Sequence, residues 1–237
     1  MLRLAIPTYR RSQTIANKTL RYLNEQGYPP PLIYLFVASE EEKIEYENNV
    51  PFYLYGQIVV GVPGIVHQRN FITQYFDDEE LLIEMDDDIE SIYCMTGGFK
   101  ELVTYATNLL RIGQGGLFGV MPNDDKRVMC LQTTTHLAFI IGTFSIRRNH
   151  HSIILTQPEK EDFERTIKYF LQYRKVYRYK AAGVKTRYLK NEGGLQDGHR
   201  LETMEECVQY LCDKYPTIVR RREKNGMPDL MLNWRYK

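Results

Sequence analysis

Two short, almost uninterrupted apolar runs constrain this chain most: Leu32-Ile33-Tyr34-Leu35-Phe36-Val37 and Leu81-Leu82-Ile83-Glu84-Met85. Each has strand length and neither alternates with polar residues. Such runs predict strands covered on both faces, as in a parallel sheet. Leu2 to Ile6 gives a further strand at the start, and Phe52 to Val62 another strand region. Helical spacing fills the gaps. Ser12 is placed to cap a helix reaching about Asn24, with Ile15, Leu20 and Leu23 on its apolar side. Gly27 and Pro29-Pro30-Pro31 end it. Glu40 to Asn49 reads as an acidic surface helix, and Gly64 to Phe76 as a helix with Ile65, Phe71, Ile72 and Phe76 on one side. The first 90 residues therefore read β-α-β-α-β-α-β. That order predicts the α/β class, a mostly parallel sheet flanked by helices.

The rest is less regular. It predicts helices at about Lys100–Arg111, Lys160–Tyr173 and Met204–Asp213. Strands are expected at two places within Val128–Arg147, at Val176–Leu189 and at Leu230–Trp234. The chain has 237 residues, 43% apolar and 26% charged, which suits one folded domain over 1–237. No apolar run approaches the 18 residues or so that a membrane span needs. The N-terminus runs straight into a strand without a signal-peptide pattern, so a cytoplasmic protein is expected. Cys94, Cys130, Cys207 and Cys212 form neither a CxxC pair nor a metal-binding spacing, and are expected as reduced thiols.

Charge is unevenly spread. Residues 1–164 carry 14 Lys/Arg against 22 Asp/Glu, whereas residues 165–237 carry 17 against 8. This asymmetry points to an anionic partner for the C-terminal third and a metal or charged ligand for the acidic part. Asp77 to Glu80 reads as a solvated acidic turn. Asp86-Asp87-Asp88 differs, because it ends an apolar strand. Strand carboxyl ends line the ligand crevice of α/β sheets, and a divalent cation with a bound diphosphate would relieve the mutual repulsion of the three carboxylates.

Pro7-Thr8-Tyr9-Arg10 after a strand, Arg69-Asn70 on a helix, and Asp86-Asp87-Asp88 after another strand together resemble a GT-A nucleotide-sugar glycosyltransferase. The resemblance implies a GT-A, Rossmann-like fold, with residues 1–90 as the nucleotide-binding half and 91–237 as the acceptor half. It implies a donor site of Pro7, Thr8, Tyr9, Arg10, Arg69, Asp86 and Asp87, and Mn2+ or Mg2+ held by Asp88 and Asp86. An inverting hexosyl transfer also needs a carboxylate to take the acceptor hydroxyl's proton. Glu161-Asp162 opens a helix, where free N–H groups favour a charged carboxylate, so Asp162 is expected as an ionised base. The same position resembles the Glu-Asp motif of inverting GT-A enzymes, with Glu161 as second choice. In the glycine-rich loop from Asn191 to Arg200, His199 is a candidate metal ligand and Arg200 a candidate phosphate partner.

A narrower resemblance rests on Asp86-Asp87-Asp88-Ile89, Glu161-Asp162-Phe163-Glu164-Arg165 and Gly193-Gly194-Leu195-Gln196 before a basic C-terminus. These are similar to the TET/JBP-associated glycosyltransferases, compact proteins found largely in phages. That implies a UDP-sugar donor and a 5-hydroxymethylpyrimidine in DNA as acceptor, in a bacterial or host cytoplasm. The residues agree with such a partner. Arg178, Lys180, Arg187, Arg220, Arg221 and Arg222 interleave with Tyr169, Tyr173, Tyr177, Tyr179 and Tyr188, a mixture suited to phosphate contacts and base stacking. The plainer alternative is a solvated basic face with tyrosines packed inward. Three other functions stay open: a family-2-like transferase acting on a glycan, lipid or protein; a nucleotidyltransferase, although Pro7 to Arg10 lacks the glycine of a phosphate loop; and a non-enzymatic nucleic-acid-binding module, which leaves Asp86–Asp88 unexplained.

Overall fold

Four parallel strands make one side of a nine-stranded sheet in a computed structural model that describes residues 2–186 and 200–236. Strand β1 (Arg3–Pro7) lies between β2 (Ile33–Val37) and β4 (Leu81–Met85), and β3 (Gln57–Val60) follows β2 at the edge. Alternate side chains enter two cores. Leu4, Ile6, Leu35 and Ile83 meet Leu20, Leu23 and Phe99 on one face, whereas Ala5, Phe36 and Leu82 meet Ile72 and Phe76 on the other. Burial on both faces is what the continuous apolar runs require.

The helix after β1 is α-helical at its ends, α1 (Ser12–Ile15) and α2 (Arg21–Glu25), and π-helical at Ala16–Leu20. Ser12 is not its cap. Arg11 holds that position without a side-chain bond, and the Ser12 hydroxyl donates instead to Glu45 of α3 (Glu40–Asn49). Phe52–Leu54 forms a 3-10 turn, which shortens the expected strand region to β3. Helix α4 (Ile65–Tyr75) then leads into β4.

Beyond β4 the sheet turns mixed. Strands β5 (Ser91–Cys94), β6 (Leu117–Met121), β8 (Phe144–Arg148) and β9 (Tyr177–Lys185) complete the order β3-β2-β1-β4-β8-β6-β9-β5, and the two-residue β7 (Thr133–Thr134) pairs with β9. Strand β8 runs antiparallel to both β4 and β6. The sequence reading missed β5 and placed more strand in Val128–Arg147 than is formed. Helix α5 (Phe99–Ile112) covers the sheet, and α6 (Glu161–Tyr173) and α7 (Arg200–Lys214) pack with the hairpin β10 (Val219–Lys224) and β11 (Met227–Leu232) around Phe163, Ile167, Leu211 and Leu230. Asn225 and Gly226, both at positive φ, make the hairpin turn; their dipeptide is a strong hairpin signal that the sequence reading passed over. No helix among the described residues is long and apolar enough to cross a membrane. All four cysteines are free thiols.

Candidate active site

The carboxyl ends of β1 and β4 are fastened to each other by the middle aspartate of the acidic run. Asp87 is buried; it accepts the Thr8 hydroxyl at 2.8 Å and Arg11 Nη1 at 3.1 Å. Tyr46 shares the Thr8 hydroxyl at 2.6 Å and accepts the Arg11 N–H at 2.9 Å. Burial pushes the Asp87 carboxyl up to about 6, with Arg11 and Thr8 opposing the rise. The Thr8 and Asp87 side chains are thus engaged with each other rather than presented to a ligand. The outer side chains stay more accessible, Asp86 at 32% and Asp88 at 16% exposure.

Pro7 is buried at the end of β1, Tyr9 is half-buried and Arg10 is exposed. Arg10 takes φ 53°, which only a held turn imposes on a non-glycine residue, and stacks its guanidinium 4.9 Å from the Tyr9 ring. Its N–H donates to Glu42, which also accepts the N–H of Ala38 after β2. One side chain therefore fixes the turns that follow β1 and β2.

Arg69 does not present a free guanidinium. It is buried on α4 and binds Glu84 through Nη1 and Asp86 through Nη2 at 3.0 Å, with Nε 3.5 Å from Glu161. Burial opposes its charge, and the three carboxylates more than offset that. Glu84, inside β4, also accepts Arg165 Nη1 at 2.7 Å and Arg147 Nη2 at 3.2 Å. Burial alone would raise the Glu84 carboxyl, but Arg165, Arg69 and Arg147 hold it well below the usual carboxylate range.

The first turn of α6 faces this cluster. Glu164 accepts the N–H groups of Thr156 and Gln157, fixing the chain that enters the helix. Asp162 is half-buried and accepts the N–H groups of Phe163 at 2.9 Å and Gly142 at 3.4 Å. Withdrawal from water and the neighbouring Glu161 push its carboxyl up to about 7, against Arg165 and the two N–H groups. The expected ionisation by the helix N-terminus is corrected here: the terminus contributes less than desolvation and a like charge cost. A carboxyl titrating near neutrality is matched to proton transfer at neutral pH.

Gly142 is the joint between the two clusters. A Cβ there would sit 3.3 Å from Arg69 Nη2 and 3.4 Å from both Asp162 Cβ and Glu161 Oε1. No group of three or more His, Cys, Asp or Glu side chains that could hold a metal occurs among the described residues. Asp86 and Asp88 nevertheless fit Mn2+ or Mg2+, which take one or two carboxylates and fill their remaining positions with phosphate oxygens and water. Arg187, His199 and the side chain of Arg200 lie outside the described residues.

Among the described residues, several of the basic side chains are engaged within the protein. Arg221 is paired with Glu205, and Arg222 with Asp229 at 2.6 Å, which also holds Lys160 at 3.1 Å; Arg220 is exposed against Met231. Tyr169 is buried with its hydroxyl on the Arg148 carbonyl, Tyr177 is packed against Gly113 and Gly115, and Tyr179 lies against Tyr105 and Phe118. These three tyrosines serve packing, which corrects the interleaved-stacking reading for them; Tyr188 lies outside the described residues. Arg178 and Lys180 on β9 stand apart. Burial lowers Arg178, whose Nε is buried with no partner, and both cations act on His136, which lies 6.1 Å from the exposed Trp234 ring. Sequence reasoning missed Glu84, Arg147, Tyr46, Arg11 and Gly142. Of these only Glu84 carried a signal, as the one charge inside an apolar run.

No family model matches the sequence, and no curated protein matches it. Solved structures do. A mannosyltransferase of Pyrobaculum calidifontis, in complex with GDP-Man and Mn2+, superposes with a TM-score of 0.54 at 12% identity, over 90% of this chain and 63% of that one. This chain thus spans less than two thirds of that enzyme's length. Glucosyl-3-phosphoglycerate synthase of Mycobacterium tuberculosis, with Mn2+, UDP-glucose and phosphoglyceric acid, gives 0.53 at 10% identity over 97% and 86%. At such identities the likeness shows the fold alone, and that fold is the GT-A fold.

Proposed function

We propose that this chain is a metal-dependent, inverting glycosyltransferase acting from a nucleotide-sugar donor. One observation carries the reading: a single buried guanidinium, Arg69, spans from Asp86 in the strand-end acidic run to Glu161 beside Asp162. Two kinds of carboxylate, outer aspartates suited to a cation and a near-neutral one suited to a proton, are thereby linked through one side chain. Asp162 takes the acceptor hydroxyl's proton as that oxygen attacks the anomeric carbon. The bond from that carbon to the diphosphate oxygen breaks, and the nucleoside diphosphate leaves with the electron pair. Asp86 and Asp88 would hold Mn2+ or Mg2+, which supplies positive charge for the leaving diphosphate. Below about 7 Asp162 keeps its own proton, so the rate rises with pH through that region. The structural neighbours bind UDP- and GDP-linked ligands, which makes these the first donors to test.

The proposed acceptor is a 5-hydroxymethylpyrimidine in DNA. Its support is the cationic excess of residues 165–237 together with Arg178 and Lys180 beside His136 and the 59%-exposed Trp234. Five residues of chain join His136 to Gly142 at the base, and a duplex would have to flip the target nucleotide to reach it. The test is transfer in Mn2+ from a panel of UDP- and GDP-sugars to DNA containing 5-hydroxymethylcytosine or 5-hydroxymethyluracil, followed by digestion and mass measurement of the nucleosides. The expected result is a hexose-sized gain. Asp162→Asn should keep donor binding and lose about 10²- to 10⁴-fold in rate, while Asp88→Asn should lose Mn2+-dependent nucleotide binding. Metal-dependent donor hydrolysis without a gain on DNA would retain the transferase and move the acceptor to a glycan, lipid or protein. The absence of both gain and hydrolysis would overturn the reading.

A further inference from the structure

Glu84 gathers three guanidinium groups from three different elements: Arg69 of α4, Arg147 of β8 and Arg165 of α6. Arg147 has other holds, on Asn149 and Thr73. Arg165 has fewer. Among the described residues, beyond Glu84 its Nη2 reaches only the Gly142 carbonyl, at 3.5 Å, and its Nε is buried without a hydrogen-bond partner. The N–H of that same Gly142 meets Asp162. The Glu84 carboxylate therefore decides where the Arg165 charge sits relative to Asp162, although Glu84 itself touches no reacting group.

We propose that Glu84 is a positioning residue for Asp162: acting through Arg165, it sets the electrostatic surroundings of the base, while the same carboxylate anchors Arg69, the tie to Asp86. The inference rests on the reading of Asp162 as the base. Asp162 is faced by Glu161 and Arg165 from its own helix, by Arg69 of α4 across Gly142, and by the N–H groups of Gly142 and Phe163. Glu84 on β4 neutralises Arg165 from behind. Removing the Glu84 charge leaves Arg165 unopposed, which favours the Asp162 carboxylate. Removing Arg165 takes away a cation that opposes the rise, which favours the neutral acid. A Glu84 that only filled space would produce no such opposition of sign.

The test is a 13C NMR titration of full-length protein labelled at its aspartate carboxyl carbons, the resonance missing from Asp162→Asn identifying Asp162. Its midpoint is expected to fall by about half a pH unit or more in Glu84→Gln and to rise by about as much in Arg165→Met. In the double variant Arg165 is absent, so the Glu84 change should add little further shift and the midpoint should stay nearer the Arg165→Met value than the wild-type one. Coincident midpoints, or shifts of the same sign in both single variants, overturn the inference. If Glu84→Gln does not fold, Arg165→Met against the double variant carries the same comparison, and a full return to the wild-type midpoint overturns it. Full transfer activity in Asp162→Asn would instead remove the base reading and leave the measured coupling standing.

Discussion

The end of β4 and the first turn of α6 each withdraw a carboxylate from water and bring it to an opposite state. Glu84 meets three guanidinium groups and stays charged far below the usual range. Asp162 meets two backbone N–H groups, a like-charged neighbour and an arginine already committed to Glu84, and is pushed up to about 7. Burial acts in the same direction on both; the neighbours decide. A helix N-terminus contributes only about 0.3–1 kcal/mol in ordinary settings, against several kcal/mol for withdrawing an ion from water. The strand end can therefore serve as a permanently charged frame, and the helix start as a group that exchanges a proton.

The contrast is open to breakage by the same isosteric change at both sites. Glu84→Gln leaves three buried arginines short of their common partner and should destabilise the fold by about 3–5 kcal/mol at pH 7, read by urea unfolding. Because the Glu84 carboxyl is depressed on folding, its stabilising effect is full above the unfolded value and fades as pH falls through the folded one. The gap between wild type and variant should accordingly narrow in strong acid. A cost below about 1 kcal/mol at pH 7 would show that the arginines do not need Glu84.

Asp162→Asn should act with the reverse sign and a smaller size. An acid whose folded value is raised contributes stability that is complete below its unfolded value and is lost as pH rises through about 7. Asparagine imitates the neutral acid and escapes that loss. The variant should therefore be more stable than wild type at pH 8, by on the order of 1–3 kcal/mol, and equal to it near pH 4. Parallel stability curves across that range would remove the distinction between the two regions.

The two regions also differ in what the sequence discloses. Three aspartates closing an apolar run form a local pattern, and Pro158 with two acids before helical spacing forms another, so both site segments are readable in one dimension. The frame between them is not. Glu84 draws its arginines from 15, 63 and 81 positions away, and no local periodicity records such pairings. The parallel half of the sheet was readable because buried strands lose their polar alternation. The mixed half was not, since β5 and β7 are too short to carry a period. Charge was legible as a count but not in its disposition. Arg165, Lys168, Arg221 and Arg222 inflate the C-terminal excess while pairing within the protein.

The smallest change tests the joint itself. Gly142 needs no unusual backbone freedom; it is short of space, because an added methyl would press on Arg69, Asp162 and Glu161 at 3.3–3.4 Å. Neighbours must yield by a few tenths of an ångström, and those free to yield are the ones whose placement the chemistry uses. Overpacking by one methyl at such contacts costs about 1 kcal/mol of stability, whereas displacement of a base from its productive position costs about tenfold or more in rate. Gly142→Ala should therefore lose transfer out of proportion to its fall in Tm. A variant that loses stability and keeps its rate would mean that the strand end and the helix start tolerate relative movement. The Arg69 bridge would then be a packing feature rather than the link between the two halves of the site.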